Sequence, residues 1–214
     1  MLKIGGFTIL EDIQKIIDKR EIKSVFHFSR VENLSSILLN GVVPRSNLVG
    51  STSIFNDTVR ADGKLDHSSF SISFPNHLMF YRLRCATPDS KWALLVFKPE
   101  ILTAYDCLFY PVNAASANVS RLPPSSFRGG NALERMFTYA AETRENILRP
   151  CDPTDVQAEV MIPSTVTIDY LKGCILSDKN LISFFSKKFP HIKFAYCAEG
   201  SQVFHTRKAF LWGF

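Results

Sequence analysis

The sequence predicts a mixed α+β domain with a split, largely antiparallel sheet. Three observations support this fold class. Several short segments alternate apolar and polar residues, others repeat apolar residues at helical spacing, and most strands do not follow one another in βαβ order. With 214 residues, of which 46% are hydrophobic, the chain can bury one substantial core. We therefore expect a single domain over residues 1–214.

The first part of the chain predicts a helix, a strand and a second helix. Thr8 and Glu11 have the spacing of a capping box and precede an apolar stripe that includes Leu10. The segment KSVFHFSR then alternates as a strand, and VENLSSILLNGVVP predicts a short helix that ends at Gly41. A polar loop follows, because the next stretch contains Gly50, Asp62-Gly63 and few apolar residues.

The middle of the chain contains the clearest strand, SSFSISF, in which aromatic or aliphatic residues alternate with serines. After it come a helical or irregular stretch, NHLMFYRLR, and two apolar runs, KWALLVF and ILTAYDCLFY. Residues 111–153 form a long polar excursion interrupted by the helical stretch ALERMFTYAAETRENI. A loop region of that length inside a compact domain indicates function.

The end of the chain begins with the strand pattern DVQAEVMIPSTV. Period-two alternation places Gln157 and Glu159 on one face and Val156, Ala158 and Val160 on the other. The remaining elements are predicted as the segment GCILS, a helix in NLISFFSKKF and a last strand in IKFAYCA.

Composition narrows the class of function. A net charge of +5 favours an anionic partner such as a nucleic acid. The five cysteines are scattered without CxxC spacing, which is typical of free thiols in a reducing cytosol. No apolar run approaches the roughly 18 residues that a membrane helix needs. We therefore expect a soluble, cytoplasmic protein that does not bind membranes.

Familiar catalytic and metal-binding motifs are missing. The sequence contains no GxxxxGK[ST], GxGxxG or HExxH, and no histidine pairs with a cysteine at zinc-site spacing, so we predict no metal. Single polar residues remain as candidates. His27 and Ser29 share one face of a strand and can reach one ligand, although a core histidine beside a strand-end serine gives the same pattern. Arg60 fits either a phosphate contact or a solvated loop, and Gln157 with Glu159 fits either a site or a wet sheet edge.

Taken in order, four segments of the sequence resemble the DarT family of nucleic-acid ADP-ribosyltransferase toxins. They are FHFSRVENLSSILLNGVVP, LDHSSFSISFPNHLMFY, FYPVNAASANV and VQAEVMIPSTV, and the resemblance runs from about Phe26 to Val166. The chain departs from the family in having Arg30 where many members have a second histidine, and in an arginine-rich excursion.

The resemblance implies an ADP-ribosyltransferase-like fold with split, mainly antiparallel sheets flanked by helices, and NAD as co-substrate without a metal. It also implies roles for individual residues. His27 and Ser29 would hold the nicotinamide ribose and carboxamide, and Asn33 and Gly41 would lie beside the cofactor. The remaining assignments are Phe70 to cofactor binding and Glu159 and Arg60 to catalysis.

The same resemblance implies a nucleobase in single-stranded nucleic acid as the acceptor, with DNA favoured over RNA, and a cognate antitoxin protein as partner. Acceptor binding is assigned to Gln157, Asn113, Arg121 and Arg128, with Phe127, Phe137 and Tyr139 available for base stacking. Two other functions fit the residues. One is ADP-ribosylation of a protein side chain, and the other is a non-catalytic nucleic-acid-binding module in which Glu159 is structural.

Overall fold

The computed structural model describes residues 9–48 and 65–213, and Thr8, Gly50, Arg60 and Asp62-Gly63 lie outside these ranges. Within the described residues, seven strands follow the hydrogen-bonded order β4-β5-β2-β1-β3-β6-β7. Neighbouring strands are antiparallel except β6 and β7, which are parallel. The strands are β1 (Val25–Arg30), β2 (Ser68–Ile72), β3 (Trp92–Phe97), β4 (Leu108–Tyr110), β5 (Glu159–Ile162), β6 (Leu171–Leu176) and β7 (Phe194–Tyr196).

Helices flank this sheet, which confirms the predicted α+β class. In the described part of the chain they are α1 (Ile9–Lys19), α2 (Val31–Asn40), α3 (His77–Ala86), α4 (Ile101–Ala104), α5 (Ala117–Ser120), α6 (Gly129–Thr138), α7 (Leu181–Lys188) and α8 (Arg207–Trp212). None of these described helices has the length and apolar character needed to cross a bilayer.

The predicted split of the sheet occurs at β2, where the two neighbouring strands, β1 and β5, separate from each other. The last residues of β2, Ser71 and Ile72, pair with β1. The first residues, Ser68 to Phe70, pair instead with β5 on the other side. The seven strands therefore form one sheet that is connected at β2. β5 pairs with the first part of β2, and β1 pairs with its last part.

Several element boundaries differ from the predicted ones for local reasons. β2 ends at Ile72 because Ser73 has a positive φ of 61°, which cannot continue a strand. α6 ends at Thr138, and Ala140 adopts φ 49°, so the predicted helix does not extend through this stretch. The run ILTAYDCLFY divides into α4 and β4. Leu10, which the sequence assigns to the apolar stripe of the first helix, has a side chain that is 49% exposed.

A buried aspartate fixes the chain immediately before β5. Asp152 is fully buried and accepts two hydrogen bonds from the Arg149 guanidinium, both 2.9 Å, and one of 2.6 Å from Ser73 Oγ. Arg144 donates to the backbone carbonyls of Asp152 and Arg149, and Arg207 donates to those of Pro153 and Thr154. The end of β2 and the approach to β5 are thereby joined through one carboxylate.

The charge of Asp152 is maintained by these partners. Burial alone raises the pKa of Asp152, but the hydrogen bonds from Arg149 and Ser73 outweigh burial and lower the pKa below its ordinary value. The carboxylate therefore remains ionised at neutral pH and forms an ion pair with Arg149.

Removing this carboxylate should strongly destabilise the fold. We expect Asp152→Ala to lower the free energy of unfolding by about 3–5 kcal/mol, because it removes the buried acceptor of the hydrogen bonds from Arg149 and Ser73 Oγ, and a hydrogen bond to a charged group contributes about 1.5–3 kcal/mol. Asp106→Ala is the matched control: Asp106 pairs with Arg128 at an exposed position, so its loss should cost less than about 1 kcal/mol. Urea unfolding of both variants measures the difference, and equal losses would contradict the structural role of Asp152.

Candidate active site

A cleft of about 170 Å³ opens where β1 and β5 separate along β2. Residues from β1, α2, β2, β5 and the start of α3 contribute to its walls. The lining includes His27, Ser29, Asn33, Gly41, Ser71, Asn76, Met79 and Glu159. The structure thus brings together five of the residues that the sequence predicts: His27, Ser29, Asn33, Gly41 and Glu159.

His27 closes the gap that the diverging strands leave. Backbone pairing between β1 and β2 stops at Phe26, and the His27 ring then reaches across to the Ser69 carbonyl at 2.9 Å. A carbonyl oxygen only accepts hydrogen bonds, so Nδ1 carries the proton in this contact. The His27 ring also packs against the Phe70 ring with centroids 5.2 Å apart. The imidazole is therefore fixed on two sides at the cleft wall.

Ser29 and Asn33 form a linked pair one helical turn apart. Ser29 ends the cleft-facing part of β1 and is 4% exposed, and α2 begins two residues later at Val31. Asn33 Nδ2 donates to Ser29 Oγ at 3.2 Å. Because the strand runs directly into the helix, hydroxyl and amide groups of both elements face the same cleft.

Gly41 ends α2 in a conformation that requires glycine. It has φ 84° and ψ −179°, and its N–H donates to the Ile37 carbonyl. A Cβ built on Gly41 would lie 2.5 Å from the Val166 carbonyl oxygen. The next residue, Val42, forms an isolated antiparallel bridge with Val166. This close approach holds the α2 exit against the chain that leaves β5.

Glu159 is the first residue of β5 and is 6% exposed at the cleft. It pairs with Tyr110 of β4, and its Oε2 accepts a 3.1 Å hydrogen bond from the Ala114 N–H. Asn113 shapes that contact, since its Oδ1 accepts from the Ala115 N–H at 2.9 Å and closes the turn around Ala114. Asn113 therefore supports the orientation of Glu159, and it is not among the residues lining the cleft.

The predicted position of Gln157 was wrong. Gln157 does not share a strand face with Glu159, because β5 begins only at Glu159 and Gln157 lies in the preceding turn. The Asp155 side chain accepts from the Gln157 N–H at 2.7 Å and stabilises that turn. Glu159 and Met161 do share a face, as the alternation predicts, and both are buried.

Phe70 lies behind the cleft instead of lining it. Its side chain is 1% exposed and packs in the main core, where it contacts the Phe97 ring edge-on at 5.6 Å. The serines on either side of it, Ser69 and Ser71, line the cleft in its place. Phe70 can therefore support His27 from within, and direct contact with a ligand in the cleft is excluded by its burial.

The arginines and aromatic residues of the excursion mostly serve the fold. Arg144 and Arg149 hold the Asp152 cluster, Arg128 pairs with Asp106, and Arg121 is exposed on the surface. Phe127 and Phe137 are each 1% exposed, so they are core residues and do not offer a stacking surface. Tyr139 is partly exposed.

The sequence also left cleft residues unassigned, and Asn76 is the clearest. It is 2% exposed, its Oδ1 accepts from the Met79 N–H at 3.1 Å, and its own N–H donates to Ser71 Oγ. Asn76 thus caps α3 and attaches this helix to β2 at the cleft. An asparagine four residues before the first buried helical position, Phe80, is the only signal that the sequence offered. Arg45 and His67 also line the cleft, close to the limits of the described ranges.

Comparison with protein families identifies the family to which the chain belongs. The family model described as "DarT: ssDNA thymidine ADP-ribosyltransferase, DarT" matches residues 26–195, well over half of the sequence. The chain belongs to the DarT family. As a DarT it is an NAD-dependent ADP-ribosyltransferase, and the match covers every cleft residue described above.

Solved structures support the same fold. Thermus sp. 2.9 DarT in complex with ADP-ribosylated ssDNA matches with a TM-score of 0.62 and 13% identity over 87% of this chain and 97% of that one. The same Thermus protein with carba-NAD+ gives a TM-score of 0.59 and 14% identity over 87% and 99%. Thermosipho africanus DarTG with ADP-ribose gives 0.60 and 16% over 85% of this chain and 51% of that one, so the chain spans about half the Thermosipho protein. No curated protein matches significantly.

No group of three or more His, Cys, Asp or Glu side chains in residues 9–48 and 65–213 is placed to hold a metal ion. The described cysteines are free thiols, and burial raises the pKa of Cys107 and Cys174. Burial of this kind makes a thiol a poor nucleophile. Among the described residues that line the cleft, Glu159 is the one that carries a carboxylate.

A second cavity, of about 470 Å³, lies beside the turn that contains Gln157 and includes His77, Tyr139 and Arg207. His77 Nδ1 accepts a long hydrogen bond of 3.4 Å from the Arg207 N–H. Burial and the positive charge of Arg207 lower the pKa of His77 from 6.5 to about 4. His77 is therefore neutral at physiological pH.

His77 should make the stability of the chain depend on pH. Because its folded pKa is lower than its unfolded pKa, the unfolded state binds more protons between pH 6.5 and about 4. The free energy of unfolding should therefore fall as the pH decreases through that window. We expect His77→Gln to show a smaller decrease in urea unfolding measured over the same pH range. An identical pH slope in both proteins would exclude His77 as its source.

Gly41→Ala should destabilise the DarT chain more than a comparable glycine substitution. Gly200 provides the control: its φ is 75°, yet a Cβ there would contact nothing within 4 Å. Gly200→Ala should therefore cost only the backbone strain, about 1–2 kcal/mol. Gly41→Ala adds the collision with Val166, for which we expect about 1–3 kcal/mol more. Thermal and urea unfolding test this, and equal losses would show that the α2 exit tolerates a side chain.

Proposed function

We propose that this chain transfers ADP-ribose from NAD to the thymine base of a thymidine in single-stranded DNA, with Glu159 as the catalytic carboxylate. One observation carries the proposal: a buried, hydrogen-bonded glutamate on β5 shares a cleft with His27 and Ser29 of β1, in a chain that the DarT family model matches. The Thermus and Thermosipho DarT structures with carba-NAD+, ADP-ribose and ADP-ribosylated ssDNA support the choice of donor and acceptor.

The chemistry suits a fixed carboxylate. When the bond between nicotinamide and ribose breaks, its electron pair leaves with nicotinamide and positive charge develops on the ribose ring. A carboxylate held nearby, through its own contact or through a ribose hydroxyl, stabilises that charge as it forms. The Ala114 N–H holds one oxygen of Glu159, so little reorganisation is needed during the reaction.

The acceptor must lose a proton as the new bond forms. The only N–H of a thymidine base lies between two carbonyl groups, so this ring nitrogen is the nucleophile once its proton is removed. In this proposal Glu159 takes that proton as a general base. The products are then nicotinamide, an ADP-ribosylated base and one proton, and no redox cofactor is required.

Cofactor contacts are proposed for the cleft residues. His27 and Ser29 would hold the nicotinamide ribose and carboxamide, while Asn33 and Gly41 would lie along the dinucleotide. Their shared position in the cleft supports this assignment. Phe70 acts indirectly by supporting His27. Arg60 remains a predicted catalytic residue that lies outside the described ranges.

Acceptor contacts are proposed with less support from the geometry. Gln157 and Asn113 both lie outside the cleft lining, so any effect on the acceptor would act through the turns that position Glu159. Arg121 is exposed and can contact a phosphate, and Arg128 could do so only by leaving Asp106. RNA remains a second acceptor to be tested.

The biological role follows from family membership. We propose that the chain acts in the cytoplasm as the toxin of a toxin-antitoxin or phage-defence system and that an antitoxin protein neutralises it. The Thermosipho DarTG structure supports a toxin-antitoxin context. Residues 1–214 are proposed to form one ADP-ribosyltransferase domain.

Glu159→Gln should abolish transfer without unfolding the chain. We expect the rate to fall by at least about 10²–10³-fold, because the amide keeps the shape of the side chain but carries no charge and accepts no proton. NAD affinity and the unfolding midpoint should stay close to those of the wild type. Mass spectrometry of nucleosides from DNA and RNA digested after expression measures the added ADP-ribose.

The control for this substitution is Glu199→Gln, an exposed glutamate outside the cleft, which should leave transfer unchanged. Incubation with labelled NAD and separate DNA, RNA and protein pools identifies the acceptor. Label found only on protein would overturn the nucleic-acid proposal. Full activity of Glu159→Gln would overturn the assignment of the catalytic residue, and toxicity that persists in that variant would favour a binding module.

A further inference from the structure

The α3 helix presents two different faces on either side of its axis. Asn76 and Met79, at its start, line the cleft, and Phe80 is buried against Phe28 with stacked rings 4.6 Å apart. The outward face carries Leu78 and Tyr81, which are 40% and 62% exposed, and the exposed Arg82. We call Leu78, Tyr81 and Arg82 the α3 stripe.

Helical spacing makes the α3 stripe continuous with the cleft wall. Arg82 follows Met79 by three residues, so the two side chains are neighbours on the helix surface. Leu78 neighbours both Tyr81 and Arg82, at spacings of three and four. A chain that leaves the cleft past Met79 therefore meets Arg82 first, with Leu78 and Tyr81 beside it.

The composition of the α3 stripe matches a nucleic acid strand. An exposed aromatic ring stacks on bases, and an arginine contacts phosphates, which together are typical of single-strand binding surfaces. The α3 sequence HLMFYRLRCA contains no acidic residue that would repel phosphates. Arg82 also makes no ion pair within residues 9–48 and 65–213.

The α3 helix is also held rigidly, as a binding platform requires. Asn76 caps its first turn, Phe80 packs edge-on against Trp92 with centroids 5.2 Å apart, and Arg84 donates to the Phe204 carbonyl at 2.7 Å. Arg84 is thereby directed into the fold and away from the α3 stripe. A rigid surface loses little conformational entropy when a flexible strand binds.

We propose that the α3 stripe binds the nucleotides that flank the modified base, with Tyr81 stacking on one base and Arg82 contacting a phosphate. This inference rests on the proposed function, since it assumes single-stranded DNA as the acceptor. The α3 stripe would then hold the strand while its target base enters the cleft, so that acceptor affinity would depend on α3 and the chemistry on Glu159 of β5.

Fluorescence anisotropy with a labelled thymidine-containing oligonucleotide tests the proposal, without NAD so that no turnover occurs. We expect Tyr81→Ala to raise the Kd about tenfold or more, because one stacking contact is lost. Tyr81→Phe keeps the aromatic ring and should bind with the Kd of the wild type. Arg82→Ala should weaken binding and reduce the slope of log Kd against log salt by about 0.7, the contribution of one phosphate contact.

Two measurements separate this effect from general damage. NAD affinity of the α3 variants should stay within about twofold of the wild type, and the KM for the oligonucleotide should rise while kcat is preserved. Phe184→Ala and Lys187→Ala are matched controls, since α7 also exposes an aromatic ring and a cation but lines no part of the cleft. These variants should bind DNA like the wild type.

The outcomes distinguish this inference from the proposed function. If the wild type modifies DNA but the α3 variants keep its Kd, or if the α7 variants weaken binding equally, the α3 stripe is not the binding surface. If the wild type does not bind the oligonucleotide, the inference that the α3 stripe binds DNA is also overturned. A wild type that binds NAD and the oligonucleotide but modifies no nucleic acid instead overturns the proposed function, while the anisotropy results still test the α3 stripe.

Discussion

The active cleft depends on one constraint, which is that β2 pairs with different partners along its length. Ser71 and Ile72 pair with β1, whereas Ser68 to Phe70 pair with β5. Between these two regions β1 and β5 separate, and the backbone groups there need other partners. His27 supplies one of them by donating to the Ser69 carbonyl. The residue assigned to NAD binding is thus also the residue that satisfies the backbone where the sheet opens.

The position of Glu159 depends on turns that lie outside the cleft. Its strand begins where the turn stabilised by Asp155 ends, and its carboxylate is held by an N–H that Asn113 helps to orient. Upstream, Asp152 ties the same segment to Ser73 at the end of β2. Both ends of this arrangement meet at β2, so the strand that opens the cleft also fixes the distance between its two walls.

Sequence patterns predicted most of the elements and several residues that line the cleft, because period-two alternation and helix-ending glycine are local signals. β1, β2 and the helix ending at Gly41 follow from such signals, and His27 and Glu159 follow from their places on strands together with the family resemblance. Gln157 was misplaced because the alternation continues in the sequence through a turn, and only the Asp155 contact shows where the strand begins. Whether Arg149 faces solvent or a buried aspartate is likewise decided by tertiary contacts, which composition cannot report.

Tertiary contacts also change how the basic charge of the chain should be interpreted. A net charge of +5 favours an anionic partner, but it does not locate the surface that binds one. Arg144, Arg149 and Arg207 are occupied by backbone carbonyls and Asp152, so their charges stabilise the fold and leave little for phosphates. Arg82 carries no such partner among the described residues and adjoins the cleft through Met79. The binding surface is therefore better identified by which cations the fold leaves unpaired near the cleft than by where arginines are most frequent in the sequence.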